Sequence, residues 1–288
     1  MSNCIICGSS QYKILFKKNE AQTHRIVKCL GCGLMYADPQ EKIDSELIAE
    51  KKDSLQFIDL DNQYVRKQFN QLADYKRITE FINNTKPQKG SLLEIGTNIG
   101  VFLNHLKEHN WNVSGVDPDV RYSLYAKKHF GIDIFPGLLE SAHFKKSCFD
   151  VVIMLHVIEH FYNPAKELGI INRILKPGGL LVIETPKYDT LMFNLLKKRE
   201  RSISCDSHLY FFTTETLRKL TEKHGFRIIK KETVGRTLSI DRLLWNIGII
   251  SKSNSLKRII KYISQSLRLD KRVIYLNMRD MQRIYCVK

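Results

Sequence analysis

Two sets of side chains in this 288-residue sequence could do chemistry. The first is a pair of cysteine turns, Cys4-Ile5-Ile6-Cys7 and Cys29-Leu30-Gly31-Cys32, with 21 residues between them. Each turn presents two thiolates on one side of a tight loop. Two such knuckles close the tetrahedral, sulfur-rich shell that Zn²⁺ takes, and Gly8, Gly31 and Gly33 supply the backbone freedom the knuckles need. Two surface disulfides or a redox pair are the competing readings. An intracellular chain disfavours disulfides, so the spacing predicts zinc on Cys4, Cys7, Cys29 and Cys32. Four protein ligands leave no open position, and the expected ion is structural. The scattered Cys148, Cys205 and Cys286 are expected to be inert thiols.

The second set is His156-Val157-Ile158-Glu159-His160, with His208 further on in Ser207-His208-Leu209-Tyr210-Phe211-Phe212-Thr213. As a bare pattern the pentapeptide matches the inverted zinc proteases. That chemistry needs a long helix, whereas this segment leaves an apolar run, Asp150–Leu155, and soon meets Asn163-Pro164, so the protease reading is rejected. Imidazole titrates near working pH, which makes His160 or His208 the candidate general base, with Glu159 and His156 beside them. His24, His105, His109, His129, His143 and His224 are expected to be solvated or locally satisfied.

The elements that must position these groups alternate. Apolar runs at Leu92–Ile95, Val113–Asp117, Ile132–Phe135, Asp150–Leu155, Leu180–Glu184, Phe226–Ile229 and Gln282–Val287 are separated by helical stretches. This predicts an α/β protein with a doubly wound sheet that binds ligands beyond its strand carboxyl ends. The turn Gly96-Thr97-Asn98-Ile99-Gly100 follows the first of these strands, where glycines let a ligand approach the backbone and helix amides favour a negative group. Asp117 ends the second strand, 23 residues after Glu94, where a carboxylate can accept from both hydroxyls of a ribose. The Gly-x-Gly-x-x-Gly of dinucleotide sites and the lysine of a P-loop are both missing, which weakens NAD and ATP readings.

Composition bounds the rest. The chain is 43% hydrophobic and 26% charged, with a net charge of +16. From Lys197 onward 22 basic residues face 8 acidic ones, whereas the first 196 residues carry 24 and 22. No apolar run reaches the ~18–20 residues of a membrane span, and the first residues lack the apolar core of a secretory signal. Collagenous, disordered, transmembrane and secreted disulfide-scaffold classes are excluded, and a cytoplasmic location is expected. The expected organisation is a zinc ribbon over 1–40, a helical connector over 41–88 ending in the Lys86–Gly90 turn cluster, and a catalytic domain over 89–288. That domain carries a basic helical insertion at about 236–276. In the insertion Leu256, Ile259, Ile260, Ile263 and Leu267 recur at helical spacing among Lys257, Arg258, Lys261 and Arg268. Leu243, Leu244, Ile247, Ile249 and Ile250 cluster beside Trp245. A lid or dimer helix pair, peripheral contact with anionic lipid through 240–272, and contact with RNA phosphates all stay open.

Leu93-Glu94-Ile95-Gly96-Thr97-Asn98-Ile99-Gly100 resembles motif I of class I S-adenosyl-L-methionine-dependent methyltransferases, with Asn98 where that family usually has Gly. Asp117 matches the family's ribose-binding acid. Phe149-Asp150-Val151-Val152 resembles its fourth-strand entry, and Leu175-Lys176-Pro177-Gly178-Gly179 the turn before its fifth strand. The match spans roughly residues 70–235. It implies a Rossmann-like seven-stranded sheet and a cofactor held by Glu94, Gly96, Thr97, Asn98, Gly100, Asp117 and Leu155. Gly137-Leu138-Leu139-Glu140 lacks the acid that many members place against adenine. Cys29 through Pro39 resembles the zinc module fused to methyltransferases of bacterial sugar and polysaccharide pathways. The acceptor implied is a sugar hydroxyl in a nucleotide- or lipid-linked precursor. The chain is too short for the C-terminal domain of the sugar C-methyltransferases, which disfavours C-methylation. The His-rich segment is similar to that of small-RNA 2′-O-methyltransferases and ubiquinone-pathway O-methyltransferases, which implies a candidate second divalent metal on His156, Glu159, His160 and His208. The Asn/Asp-Pro-Pro-Tyr element of base amino-methylation is absent, Met154-Leu155-His156-Val157 standing in its place. RNA methylation, and a non-catalytic zinc-bearing module that retains the fold, are the alternatives.

Overall fold

Short apolar runs rich in Leu, Ile and Val form strands buried on both faces, as parallel sheets require. In the computed structural model they are β4 (Ser91–Ile95), β5 (Asn112–Asp117), β6 (Ile134–Pro136), β7 (Phe149–Leu155) and β8 (Leu175–Pro186), all mutually parallel where they pair. Two long antiparallel strands, β10 (Arg227–Ser239) and β11 (Val273–Val287), complete a seven-stranded sheet of order β10-β11-β8-β7-β4-β5-β6. The structure describes residues 3–17, 24–38, 40, 62–197, 203, 205, 207–240, 244, 254–267, 269 and 272–288. Residues 41–61 of the expected connector lie outside these, as do Trp245 with most of its apolar cluster, and Arg268.

Helices α1 (Asn62–Thr85), α2 (Val101–Glu108), α3 (Val120–Phe130), α4 (Pro164–Ile174), α5 (Leu191–Leu196), α6 (Thr214–Lys223) and α7 (Asn254–Ser266) flank or leave this sheet. α1 supplies the second half of the connector and packs Ile78 and Ile82 against Leu92, Val151, Ile153 and Val182. The Leu175–Gly179 turn is absorbed into β8 as a bulge: Phe149 lies opposite Leu175, and Val151 opposite Leu180. The insertion over 236–276 is helical only in part. Arg236–Ser239 and Val273–Leu276 resume the β10–β11 ladder beyond a register shift between Val234 and Arg236, and α7 is the described helix. Among the described residues no helix is long and apolar enough to cross a membrane.

The zinc-ribbon segment forms a second sheet from β1 (Tyr12–Phe16), β2 (Arg25–Cys29) and β3 (Met35–Asp38). A fourth strand, β9 (Tyr210–Phe211), comes from the far side of the chain and pairs antiparallel with β3. One continuous core runs from Cys4, Val27, Leu34 and Tyr36 through Leu209 and Phe212 to Leu93, Met154 and Ile183 of the large sheet. The boundary expected at residue 40 is therefore not a packing boundary.

A buried ion network ties the antiparallel edge to the centre. Arg283 of β11 is 0% exposed, and its Nε and Nη2 reach Glu184 Oε2 on β8 at 2.7 and 2.6 Å. Its Nη1 donates to Glu232 Oε1 at 2.9 Å, an oxygen that also accepts from the Tyr285 hydroxyl. Lys230 stands 3.5 Å from the other Glu232 oxygen, so two cations face two carboxylates. Asp74 of α1 joins by accepting from Thr237 N and Oγ1. Deleting the guanidinium would leave the buried Glu184 without its counter-charge. Arg283→Met is expected to cut the unfolding free energy by about 3–5 kcal/mol in urea denaturation; a loss under about 1 kcal/mol, typical of a surface pair, would show the network to be dispensable.

Candidate functional site

β4 ends in Glu94-Ile95, and the chain then turns through three left-handed residues: Gly96 (φ 73°), Asn98 (φ 53°) and Gly100 (φ 79°). Asn tolerates this region better than other residues with a Cβ, so Asn98 serves where glycine would. Its Oδ1 accepts from Ile99 N at 2.8 Å and from the Tyr64 hydroxyl of α1 at 2.7 Å. Tyr64 stacks on Tyr122, with ring centroids 6.2 Å apart. The sequence reading did not find these two tyrosines, because nothing in the local pattern of α1 links it to this loop.

Asp117, at the end of β5, is buried and accepts from Asn98 N at 2.8 Å and Asp119 N at 3.0 Å, one bond to each oxygen. Burial outweighs these bonds and pushes its carboxyl up to about 6. Glu94 is buried beside it with Oε2 lacking a hydrogen-bond partner. Burial first, and the Asp117 charge second, hold it well above the ordinary carboxylate range. A Cβ on Gly96 would overlap Cγ2 of Val157, so the segment after β7 presses against the loop. An S-adenosylmethionine molecule needs acceptors for ribose hydroxyls, a partner for its cationic amine and close backbone approach. Asp117, the orphaned Glu94 oxygen and the Gly96–Gly100 turn fit those needs. Thr97 is buried within this turn, and Leu155 is the last residue of β7.

The rim begins at His156, itself left-handed (φ 58°). Its amide donates to Glu184 O at 2.9 Å and its Nε2 lies 3.3 Å from Glu184 Oε1, so one residue holds it twice. Burial alone would raise Glu184, but the His156 hydrogen bond and the Arg283 charge bring it to about 2. Glu159 is buried in a 3₁₀ turn at Ile158–His160. Its Oε2 accepts from Thr185 Oγ1 at 2.8 Å, and its Oε1 lacks a hydrogen-bond partner. The Leu209 amide donates to Glu159 O, which brings His208 alongside, and the His160 and His208 rings lie 4.7 Å apart. His160 Nδ1 is 2.8 Å from Ser207 O. A carbonyl only accepts, so Nδ1 carries the hydrogen and Nε2 keeps its lone pair. Burial lowers the His160 pKa from its ordinary value.

Two groups among the described residues could hold a metal, and in each the ligand atoms lie within 4.8 Å of one another: Cys4, Cys7, Cys29 and Cys32, and Glu159, His160 and His208. His156, expected in the second set, stands outside it, with its Nε2 against Glu184 and its Nδ1 3.8 Å from Glu159 Oε1. The four cysteines are free thiols, with Cys4 to Cys32 at 3.4 Å and Cys7 to Cys29 at 3.5 Å. Cys205, expected to be inert, lies against His208, whose hydrogen bond draws the thiol down to about 7. Cys148 and Cys286 are pushed up by burial.

Residues 64–231 match the methyltransferase domain family, more than half of the chain. The chain belongs to that family. An uncharacterized protein of Methanocaldococcus jannaschii is 28% identical to this methyltransferase over 156 residues, covering 54% of this chain and 73% of its own. A tRNA U34 carboxymethyltransferase of Hydrogenovibrio crunogenus is 24% identical over 67% of this chain and 60% of its own length. The fold is shared with a SAM-dependent methyltransferase of Thermotoga maritima, described as a possible histamine N-methyltransferase (TM-score 0.52, 20% identity, 85% of this chain and 97% of that one). Family and fold together make the protein an S-adenosylmethionine-dependent methyltransferase. Asn98, which could mark a chain that has lost transfer, keeps the loop conformation of a glycine.

The ribose role of Asp117 carries a pH signature. Its carboxylate is the accepting form, so S-adenosylhomocysteine affinity, measured by calorimetry, should weaken as pH falls through about 6, on top of any dependence that the raised Glu94 adds. Asp117→Asn should abolish the part due to Asp117 and weaken binding at pH 7.5. An unchanged affinity would remove Asp117 from the site.

Proposed function

We propose that the protein transfers a methyl group to a hydroxyl of a sugar in a nucleotide- or lipid-linked glycan precursor. The observation that carries oxygen as the acceptor atom is His160: its tautomer is set by Ser207 O, and its free Nε2 sits on a segment pressed against the Gly96 loop. S-adenosylmethionine, when bound, supplies an electrophilic methyl on a sulfonium sulfur. The chain's own part is to bind, orient and take one proton. The Gly96–Gly100 backbone would cradle the cofactor, Asp117 would accept from its ribose, and Glu94 would serve its amine. His160 Nε2 removes the acceptor's hydroxyl proton, and the neighbouring Glu159 carboxylate stabilises the imidazolium that results. Positioning and exclusion of water supply most of the rest.

Cys4, Cys7, Cys29 and Cys32 would hold a structural Zn²⁺. Their sulfur separations of 3.4 and 3.5 Å are near the edge of a tetrahedron with ~2.3 Å zinc–sulfur bonds, which is ~3.8 Å. A lipid-linked acceptor is supported by α7 and the residue after it, where Ile259, Tyr262, Ile263 and Leu267 stand exposed in a strongly basic segment suited to an anionic membrane surface. A divalent ion on Glu159, His160 and His208 is a second reading of the same rim, favoured by their convergence. It would lower the pKa of an acceptor hydroxyl.

Native mass spectrometry should find one zinc and, with added cofactor, one S-adenosylmethionine per chain; two metal ions would favour the second reading. His160→Ala should lower the turnover of sugar methylation about 10²–10⁴-fold while leaving S-adenosylhomocysteine affinity unchanged. A full-rate variant would overturn His160 as the base. The tRNA-modifying relative and the +16 charge favour RNA as the alternative acceptor. RNA affinity falling with salt at a log–log slope of several units would support it, and a flat slope would remove it.

A further inference from the structure

The zinc module and the catalytic rim share a cavity of about 230 Å³ that no step above uses. Three tyrosines and three amides line it: Tyr36, Tyr162 and Tyr210, with Asn3, Gln40 and Asn163. Cys4 and Ile5 of the first knuckle close one wall, and Lys223 of α6 fixes that knuckle by donating to Ile6 O at 2.7 Å. Tyr162 and Tyr210 each lie two residues past a rim histidine. Their segments are clamped together by Leu209 N on Glu159 O and by the Tyr210 hydroxyl, 3.2 Å from Tyr162 O and from Gln40 Oε1. The lining of the cavity thus includes a tyrosine two residues beyond each histidine of the His160–His208 pair.

Its chemistry narrows the occupant. Among the described residues no lysine or arginine lines it, so none of them would offset the charge of a phosphate. Amide groups both donate and accept, as a ring of hydroxyls requires. Tyr162 is 46% exposed, which leaves an aromatic face open to the C–H face of a sugar. The volume is below the ~300–1,000 Å³ of sites for drug-sized ligands, which suits one ring rather than a whole sugar nucleotide.

We propose that this cavity is the acceptor subsite for a single neutral hexose ring, and that the zinc module, which supplies Asn3, Cys4, Ile5, Tyr36 and Gln40, is a substrate-recognition element as well as a structural one. The inference rests on the sugar reading of the function and adds where the sugar binds. In the full chain carrying ¹³C-labelled tyrosine rings, titration with methyl β-glucoside, galactose and N-acetylglucosamine should move the Tyr162 signal saturably for at least one of the three, with affinity of about millimolar order. Tyr162→Ala should weaken that hexose about tenfold, read by saturation-transfer NMR, and Tyr162→Trp should restore it. S-adenosylhomocysteine affinity should stay unchanged in both, which reports an intact fold. The subsite is overturned if no hexose gives a saturable shift, if Tyr162→Ala binds as tightly as the parent, or if uridine binds more tightly than every hexose, which would mark a nucleobase site. Sugar methylation with an unchanged KM in Tyr162→Ala would sink the subsite and leave the function standing. Hexose binding without sugar methylation would do the reverse.

Discussion

The molecule is organised around one buried guanidinium. Arg283 lies on an antiparallel strand at 0% exposure, and it is tolerable there only because Glu184 and Glu232 are held against it. That obligation propagates inward. With Oε2 committed to Arg283, Glu184 has Oε1 left for His156, and its own carbonyl takes the His156 amide. His156 is thereby pinned in a left-handed conformation that few residues with a Cβ adopt. The next residue, Val157, is the one packed on Gly96. A charge pair between β11 and β8 thus fixes where the rim meets the cofactor loop.

A second dependence runs through residues 205–212. This segment carries Cys205 and His208, contributes β9 to the N-terminal sheet, and hydrogen-bonds through Leu209 to both Glu159 and Ala37. The cysteine-rich module and the histidine pair therefore share a backbone, and a shift in either moves the other.

Much of this was legible in the sequence because the signals were local. The loop from Gly96 to Gly100, the acid at Asp117 and the apolar strands each sit within one strand–turn–helix step, where spacing dictates geometry. Glu159, His160 and His208 were legible by residue type, and the fold brings them together. What could not be read was non-local or too short to have a period. β9 is two residues long. Tyr64 reaches Asn98 across 34 residues, and Arg283 reaches Glu184 across 99. The surroundings of His156 were hidden for the same reason, since only the fold reveals that Glu184 engages one of its ring nitrogens. The ends of the expected helical insertion were misread because ladder partners 34 to 40 residues apart, Ser239 with Val273 and Arg236 with Leu276, carry the strands past the sheet.

The position of β11 has a consequence for how the protein comes to exist. This strand, Val273–Val287, lies between β8 and β10 rather than at an edge, and it brings Arg283 with it. A growing chain that has not reached residue 273 would present β8 with an open hydrogen-bonding edge and Glu184 without its counter-charge. Exposed edges of this kind recruit other chains. The cofactor loop, whose strands pair much earlier, can form while the histidine rim is still unheld. Assembly must then be completed late, through contacts distant in sequence, which is a slow and aggregation-exposed route.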